Sequence, residues 1–460
     1  MDRLPADLLL RHGRVITMDA HRRLLADGSI AIRDGRIVAV GPDHEVAPSV
    51  IATAIRDVRG GTVHPGLIDA HTHTGSDLIR GFAPKASREW GPLEGSFYES
   101  FEAEADYLGA LQSSMEMAAN GITLYCDTGG SVSLEQTAQA IDTVGIRGIP
   151  GYRIFDIQVE EDLVSLVTST QECLARLRRQ LEMYPFGAGR VMCAVTLAGM
   201  GLNSDELLVE AQALAAERGV PMVMHQSWSA DEVRQASEAY GTSPIGHLAD
   251  LGLLGPNLTL VHMIQLADAE VDLVAGSGTR VVHCPNASMR RAMGAIRVGR
   301  FPELVARGTT VALGSDGLSG KRDLLRQAYL AAVGFREFRD EMPVLTAETA
   351  LEMATINGAR ALNLDAELGS IEAGKRADMV IHTTDRPEAH PRFSDPVDNL
   401  VYYAQSSTID TVLVDGEAIF ERGRFTRFDP QEAYRQIDAA AAQFEQKLGR
   451  AAFSAWPIVS

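Results

Sequence analysis

The sequence predicts an α/β protein: a (β/α)8 TIM-like barrel with a small β-sandwich domain that is built from both chain ends. In the middle of the chain, eight short apolar segments alternate with longer segments of helical periodicity. Strand-like alternation of apolar and polar residues appears in the first sixty residues and again near the other end. Several of the apolar segments end in His or Asp, as catalytic side chains do on barrel strands.

Residues 1–62 form the first part of the predicted β-sandwich domain. The segments DLLLRHGRVITMD and SIAIRDGRIVAVG alternate as strands do, and Asp34-Gly35 suits a two-residue type I′ hairpin turn. The same pattern returns in residues 365–428, with Asp415-Gly416 at the turn. Neither part buries enough apolar surface alone, so we expect the two to pair.

Residues 63–364 form the predicted barrel. Its strands are expected in the segments GTVHPGLIDAH, GITLYCD, GIRGIPGY, RVMCAVTLAG, VPMVMH, LTLVHM, TRVVHCP and TTVALGSDG. Segments between them, such as DELLVEAQALAAERG, have helical periodicity and end on Gly. Residues 429–460 are expected to form an exposed amphipathic helix and a tail.

Composition excludes several classes of partner. The formal charge of −19 argues against nucleic acid and anionic membranes, which need a basic surface. Four scattered cysteines without CxxC spacing indicate a reduced compartment. The chain has neither a signal-like N-terminus nor a run of about 18 apolar residues. We therefore expect a cytoplasmic enzyme that acts on a small molecule. We also expect the protein to assemble as a homo-oligomer.

Four residues at predicted strand ends form a candidate metal site. His71 and His73 are two apart on an extended strand, so both imidazoles can face one ion. His225 ends another strand, and Asp316 follows the last one. Each alone has a simple structural explanation, such as a hydrogen-bonded His or a helix cap. Together they form a mixed N/O site for zinc, iron, cobalt or manganese.

The string HPGLIDAHTH, the strand-end His225 and His262, the LGSDG segment and IEAGKRADMVI resemble the amidohydrolase superfamily. The resemblance covers nearly the whole chain. It implies that His71, His73, His225 and Asp316 hold a divalent metal ion. It also implies that Asp316 acts as general base, and that His262 binds the substrate or the attacking water.

Two departures from the family pattern bear on the chemistry. The fourth-strand segment MCAVTLAGMG has no Glu or Lys to bridge two metals, so one ion per subunit is expected. Trp228 stands three residues after His225, where the family's ring deaminases carry a proton-donating Glu, and their fourth-strand Pro-His pair is absent. An open-chain carbonyl does not need that acid. The pattern therefore favours carbonyl hydrolysis over ring deamination.

The strings HCPNASMRR and HQSWS look most like the bacterial hydrolases of the thiocarbamate molinate and of phenylurea herbicides. This resemblance implies cleavage of a C–N or C–S bond at an amide-like carbonyl of a small apolar molecule, which is a urea, thiocarbamate, carbamate or amide of xenobiotic type. Two alternatives stay open. One is a deaminase or dechlorinase of an aromatic heterocycle that recruits a different acid, and the other is a non-catalytic relative.

Four further residues are candidates for substrate contact: Trp228, His283, Asn286 and Trp90. Trp228 adds apolar surface beside the metal, although core packing is its simpler explanation. His283 and Asn286 follow the seventh strand, where they either contact substrate or support the ligands. Trp90 belongs to a long segment, residues 77–101, that either forms a lid or packs against helices.

Overall fold

The computed structural model describes residues 3–82, 103–157, 166–318 and 320–447. Within these ranges no helix combines the length and the apolar character needed to cross a membrane.

The N-terminal part of the chain forms five strands. They are β1 Leu4–Ile16, β2 Leu24–Arg33, β3 Arg36–Pro42, β4 Val50–Asp57 and β5 Thr62–Pro65, with helix α1 Asp43–Ser49 between β3 and β4. The predicted hairpin turn joins β2 to β3: Asp34 and Gly35 have φ values of 50° and 74°. Both values are left-handed, as a type I′ turn requires, and Asp and Gly tolerate that conformation.

The barrel follows, and all eight predicted strands are present. They are β6 Leu67–Thr72, β7 Ile122–Asp127, β8 Arg147–Ile149, β9 Val195–Gly199, β10 Met222–Gln226, β11 Leu258–His262, β12 Arg280–His283 and β13 Val311–Leu313. Neighbours pair in parallel from β6 to β8 and from β9 to β13. Bridges between Thr72 and Asp316 and between Gly148 and Val191 join the two groups. The barrel prediction is confirmed.

Helices cover the outside of the barrel strands. They are α2 Ala103–Ala119, α3 Leu134–Val144, α4 Thr170–Met183, α5 Asp205–Arg218, α6 Ala230–Tyr240, α7 Pro244–Asp250, α8 Asp268–Ser277, α9 Pro285–Arg291, α10 Ala295–Val298, α11 Phe301–Ala306, α12 Leu324–Arg339, α13 Ala347–Ala354 and α14 Ile356–Ala361. Short 3-10 turns occur at Gly75–Phe82, Pro387–Ala389 and Ser406–Thr408. In α5, Ser204 caps the first turn, and the left-handed Gly219 ends the last turn, where the sequence predicts the end of this helix.

The C-terminal part returns to the first sheet. It contains β14 Met379–His382, helix α15 Val397–Tyr402, β15 Ile409–Val414, β16 Glu417–Glu421 and β17 Arg424–Phe425. Strand β14 pairs with β5, so both chain ends share one sheet of nine strands. Leu10, Ile30, Ile381 and Leu413 pack in one buried cluster inside it. The predicted pairing of the chain ends is confirmed.

Helix α16, Pro430–Lys447, is the expected C-terminal helix. It is amphipathic but not fully exposed, because Ala433, Ile437 and Phe444 are buried against the main core.

Arg147 at the start of β8 links the barrel to the β-domain through a buried ion pair with Asp378, 2.7 Å long. The barrel and the terminal sheet are therefore held together by both apolar and ionic contacts.

Candidate metal centre

The four predicted ligands meet at one end of the barrel. Nε2 of His71 lies 3.5 Å from Oδ1 of Asp316, and Nε2 of His73 lies 3.8 Å from the same oxygen. Nε2 of His73 and Nε2 of His225 are 3.1 Å apart. Atoms that share one small cation lie at such separations, because each sits about 2 Å from the ion. The convergence follows from the fold, which brings the carboxyl ends of β6, β10 and β13 together.

His262, at the end of β11, borders the same centre. Its ring centroid is 5.5 Å from that of His225 and 5.6 Å from that of His71. Ring nitrogens of these three histidines lie within 4.8 Å of one another, as do ligand atoms of His71, His73 and Asp316. The structure thus places five candidate donors around one point.

Two buried ligand atoms lack partners. Within the described ranges, Nε2 of His71 and Oδ2 of Asp316 have no hydrogen-bond partner although both are buried. An unpaired polar atom in the interior costs about 1–3 kcal/mol. A divalent cation would satisfy both atoms, and imidazole plus carboxylate is a donor set that zinc accepts. The residues present therefore fit a metal ion.

Hydrogen bonds at the far side of two rings fix their orientation. Nδ1 of His71 lies 2.9 Å from Oγ1 of Thr128, and Nδ1 of His225 lies 2.9 Å from the carbonyl oxygen of Ala198. When each Nδ1–H donates to these oxygens, the Nε2 lone pair faces the centre. Thr128 was not predicted as a support residue, because its proximity to His71 arises only from the pairing of β6 with β7.

Asp127, at the end of β7, supports the segment after His73. Its carboxylate accepts hydrogen bonds from the backbone N–H of Thr74 at 2.9 Å and of Gly130 at 2.8 Å. One of its oxygens lies 3.9 Å from Nδ1 of His73. Its position at a strand end was the only sequence signal for this role.

Burial sets the charge of the donors. It lowers the pKa of His73 to about 3 and that of His262 to about 4, and it holds the pKa of His225 well below 6.5. Burial alone would raise the pKa of Asp316. The close approach of Nε2 of His71, 3.5 Å from Oδ1, and charge interactions with His262, His71 and His73 outweigh it and keep that pKa well below 3.8. Neutral imidazoles and an ionised carboxylate are the forms that bind metal.

The predicted substrate residues differ in exposure and in their contacts. Trp228 follows β10 with 40% of its surface exposed. His283 is buried and its ring packs against Phe301, with centroids 3.9 Å apart. Asn286 is partly buried, and its backbone N–H donates to Gln327 at 3.0 Å. Trp90 and the rest of residues 83–102 lie outside the described residues.

Glu232, four residues after Trp228, carries a buried carboxylate that does not face the ligands. Its carboxylate accepts from Nε2 of Gln226 at 2.7 Å and from the backbone N–H of Trp228 at 2.6 Å. Burial raises its pKa to about 7. Side chains alternate along a strand, so Gln226 and its partner lie on the side of β10 opposite to His225. Glu232 stabilises the turn after β10 and is no substitute for an acid at position 228.

Comparison with known proteins places the chain among related enzymes. It matches the amidohydrolase family over residues 62–419. The 5-methylthioadenosine/S-adenosylhomocysteine deaminase of Nitratidesulfovibrio vulgaris is 31% identical, over 97% of this chain and 99% of that one. The 5'-deoxyadenosine deaminase of Methanosarcina mazei is 29% identical, with 96% and 99% covered.

Solved structures give the same picture of the fold. An adenosine deaminase from Xanthomonas campestris with bound zinc superposes with a TM-score of 0.89 at 25% identity, covering 96% of this chain and all of that one. The atrazine chlorohydrolase of Arthrobacter aurescens, complexed with zinc, reaches a TM-score of 0.85 at 24% identity, with 94% and 100% covered. At that identity the second likeness concerns the fold alone.

These relatives correct the prediction of the reaction. Hydrolysis at an amide-like carbonyl of a small apolar molecule, and with it herbicide degradation, is contradicted by relatives named as nucleoside deaminases. The expected likeness to molinate and phenylurea hydrolases is not found among them. The prediction rested on Trp228, on the missing Pro-His pair and on the strings HCPNASMRR and HQSWS, and such local features leave the substrate class open. The findings favour the alternative of heterocycle deamination instead.

The broader predictions hold. The barrel and the sheet from the chain ends agree with the family match over residues 62–419. The three imidazoles and the carboxylate lie close together, and metal binding by them stays a prediction. Related deaminases along the full length identify a hydrolase acting on carbon–nitrogen bonds, and the zinc-containing neighbour supports a divalent metal. The chain belongs to the amidohydrolase family.

Proposed function

We propose that this protein deaminates a 6-aminopurine nucleoside, with one divalent metal ion held by His71, His73, His225 and Asp316. The observation that carries the proposal is the convergence of these four donors, with His262 beside them, on a single point. Relatives of about 30% identity over nearly the whole chain are named as deaminases of such nucleosides, which supports the substrate class.

The reaction exchanges an amino group for oxygen. Water adds to the ring carbon that carries the amino group, the C–N bond breaks, and ammonia and a 6-oxo purine leave. A divalent ion, when bound, lowers the pKa of water and polarises the reacting atoms. Asp316 accepts the proton of the attacking water and then donates it to the departing nitrogen. His262 hydrogen-bonds the adding oxygen and fixes its direction of approach.

Trp228 shapes this proposal. The indole is flat, apolar and 40% exposed at the end of β10, so a purine can stack on it. Its N–H donates hydrogen bonds but does not release a proton near neutral pH. Trp228 therefore cannot protonate a ring nitrogen as a carboxylic acid would, and we expect the chemical step to be slow.

A single ion is proposed for two reasons. All four donors surround one point, and two of them, His71 and Asp316, are only 3.5 Å apart. At the end of β9 the chain carries Leu197 and Ala198, which supply no side-chain donor for a second ion.

The test measures metal and ammonia on the same preparation. Zinc-loaded protein is incubated with 5-methylthioadenosine, S-adenosylhomocysteine, 5'-deoxyadenosine and adenosine. We expect about one metal per chain and ammonia release from at least one of these nucleosides. The metal-free protein and an Asp43→Asn variant, altered at a carboxylate of the β-domain, are the controls. Absence of ammonia from all four would refute the proposed substrate class, and two tightly held ions per chain would refute the single-ion site.

A further inference from the structure

Arg322 is a buried arginine directly behind the proposed metal centre. It precedes helix α12 and is only 1% exposed. A buried guanidinium needs partners for its charge and for its N–H groups, because removing it from water is expensive. Its partners are therefore informative about what it does.

Asp77 balances the charge of Arg322. Nε of Arg322 donates to one carboxylate oxygen of Asp77 at 3.0 Å, and Nη2 donates to the other at 2.8 Å. Ser113 donates its hydroxyl to Asp77 at 2.5 Å and thereby holds that carboxylate in place. This fork geometry is specific to arginine, since lysine offers a single point of charge.

The remaining N–H groups of Arg322 reach the backbone of two proposed ligands. Nη2 donates to the carbonyl oxygen of His73 at 3.0 Å. Nη1 donates to the carbonyl oxygen of Asp316 and to the hydroxyl of Ser315, the latter at 2.8 Å. One rigid, planar group thus links the chain after β6 to the chain after β13.

Asp316 needs such support. Its φ of 63° is left-handed, which costs a residue with a Cβ roughly 1–2 kcal/mol. The backbone N–H of Asp316 donates to the carbonyl oxygen of His71 at 3.0 Å. The carbonyl oxygen of Asp316 accepts a hydrogen bond from Arg322. These contacts on both sides of residue 316 aim its carboxylate at the histidines.

The network also extends to His71. The hydroxyl of Ser315 donates to Asp69 at 2.5 Å, and Asp69 accepts the backbone N–H of His71 at 3.4 Å. Arg322, Ser315 and Asp69 therefore connect the backbones of three of the four proposed ligands.

We propose that Arg322 is a positioning residue for the metal centre, which sets metal affinity by fixing the backbone of Asp316 relative to His73. The inference rests on the proposed metal site. It goes beyond the ligand set, because the hydrogen bonds of Arg322 to His73 and Asp316 go to their backbone carbonyl oxygens.

The test measures zinc affinity by chelator competition, without substrate. We expect Arg322→Met to weaken zinc binding about 10- to 100-fold, as loss of an outer partner of metal ligands does. Arg322→Lys keeps the charge but loses the forked pair of hydrogen bonds. Its zinc affinity should therefore lie between that of the wild type and that of Arg322→Met. Arg147→Met is the matched control: Arg147 is also 1% exposed and paired with a carboxylate, Asp378, but contacts no ligand.

Thermal unfolding of the metal-free proteins separates positioning from stability. If both methionine variants lose stability and only Arg322→Met loses zinc affinity, the inference holds. Unchanged affinity in Arg322→Met, or an equal loss in Arg147→Met, overturns it. Should Arg322→Met not fold, the same criteria apply to Arg322→Lys. A His71→Ala variant tests the site itself: if it binds zinc as the wild type does, the proposed metal centre fails, whatever Arg322 does.

Discussion

Nδ1 of His71 and Oγ1 of Thr128 are 2.9 Å apart, and this contact leaves Nε2 as the nitrogen of His71 that faces the other ligands. The imidazole has two possible tautomers, and only the one with hydrogen on Nδ1 presents a lone pair to a metal from Nε2. Thr128, directly after the neighbouring strand β7, therefore selects the tautomer of His71 that could bind a metal ion.

Replacing Thr128 by Val should weaken zinc binding about 10-fold while keeping the fold, because valine has nearly the same shape and lacks only the hydroxyl. Zinc affinity by chelator competition is the measurement. Thr259→Val is the control, since Thr259 is a buried barrel threonine that donates to the carbonyl of Ala361 at 2.6 Å. Equal zinc affinity of Thr128→Val and the wild type would show that this contact does not orient His71.

Asp316→Asn should abolish ammonia release. The amide cannot accept the proton of the attacking water, and general base catalysis typically contributes about 10²–10⁴-fold in rate. The measurement is kcat on the best nucleoside, together with metal content. Asp43→Asn removes a buried carboxylate that pairs with Arg11 at 2.6 Å in the β-domain and should leave kcat unchanged. Retention of more than a tenth of wild-type kcat in Asp316→Asn would contradict its role as base.

Trp228→Glu should raise the rate of nucleoside deamination. A carboxylic acid at the end of β10 could protonate the ring nitrogen, which makes the ring carbon more electrophilic, and we expect a gain of about 10- to 100-fold in kcat. Trp228→Gln has nearly the same shape as the glutamate but no proton to give. If Gln and Glu change kcat equally, the gain comes from the space that the indole leaves and not from proton transfer.

The sequence predicts those features that depend on short spacing. His71 and His73 lie two apart, Asp34-Gly35 forms its predicted turn, and strand ends locate His225, His262 and Asp316. Eight apolar segments were enough to recognise the barrel.

Thr128 and Arg322, which support the candidate ligands, could not be predicted from short spacing in the sequence. Thr128 is 57 positions from His71, and Arg322 is 245 positions from Asp77. Only the closed barrel brings these pairs together, and an ordinary Thr or Arg in the sequence gives no sign of it. The prediction of the reaction was wrong for a related reason: Trp228, the missing Pro-His pair and two short strings do not define the pocket that selects a substrate.

A second pair of histidines, on two paired strands of the terminal sheet, predicts a sensitivity to acid. His64 on β5 and His382 on β14 are buried, and their Nε2 atoms lie 3.0 Å apart. His64 donates from Nδ1 to the carbonyl of Pro65 at 2.7 Å, so its Nε2 accepts from His382 while both rings are neutral. Burial lowers the pKa of His64 to about 4 and holds that of His382 well below 6.5.

Because the unfolded chain binds a proton on His64 near pH 6.5 and the folded chain does not until about pH 4, acid favours unfolding in that window. The lowered pKa of His382 acts in the same direction. The free energy of unfolding should fall by roughly 3 kcal/mol for His64 alone as the pH drops from 7 to 4. Urea unfolding of the metal-free protein at several pH values measures this loss. Replacing both histidines by Gln should reduce its slope, whereas His44→Gln, at a side chain that is 81% exposed, should not. The same pH dependence in the wild type and the double variant would mean that this buried pair takes up no proton on unfolding, and that the acid sensitivity arises elsewhere.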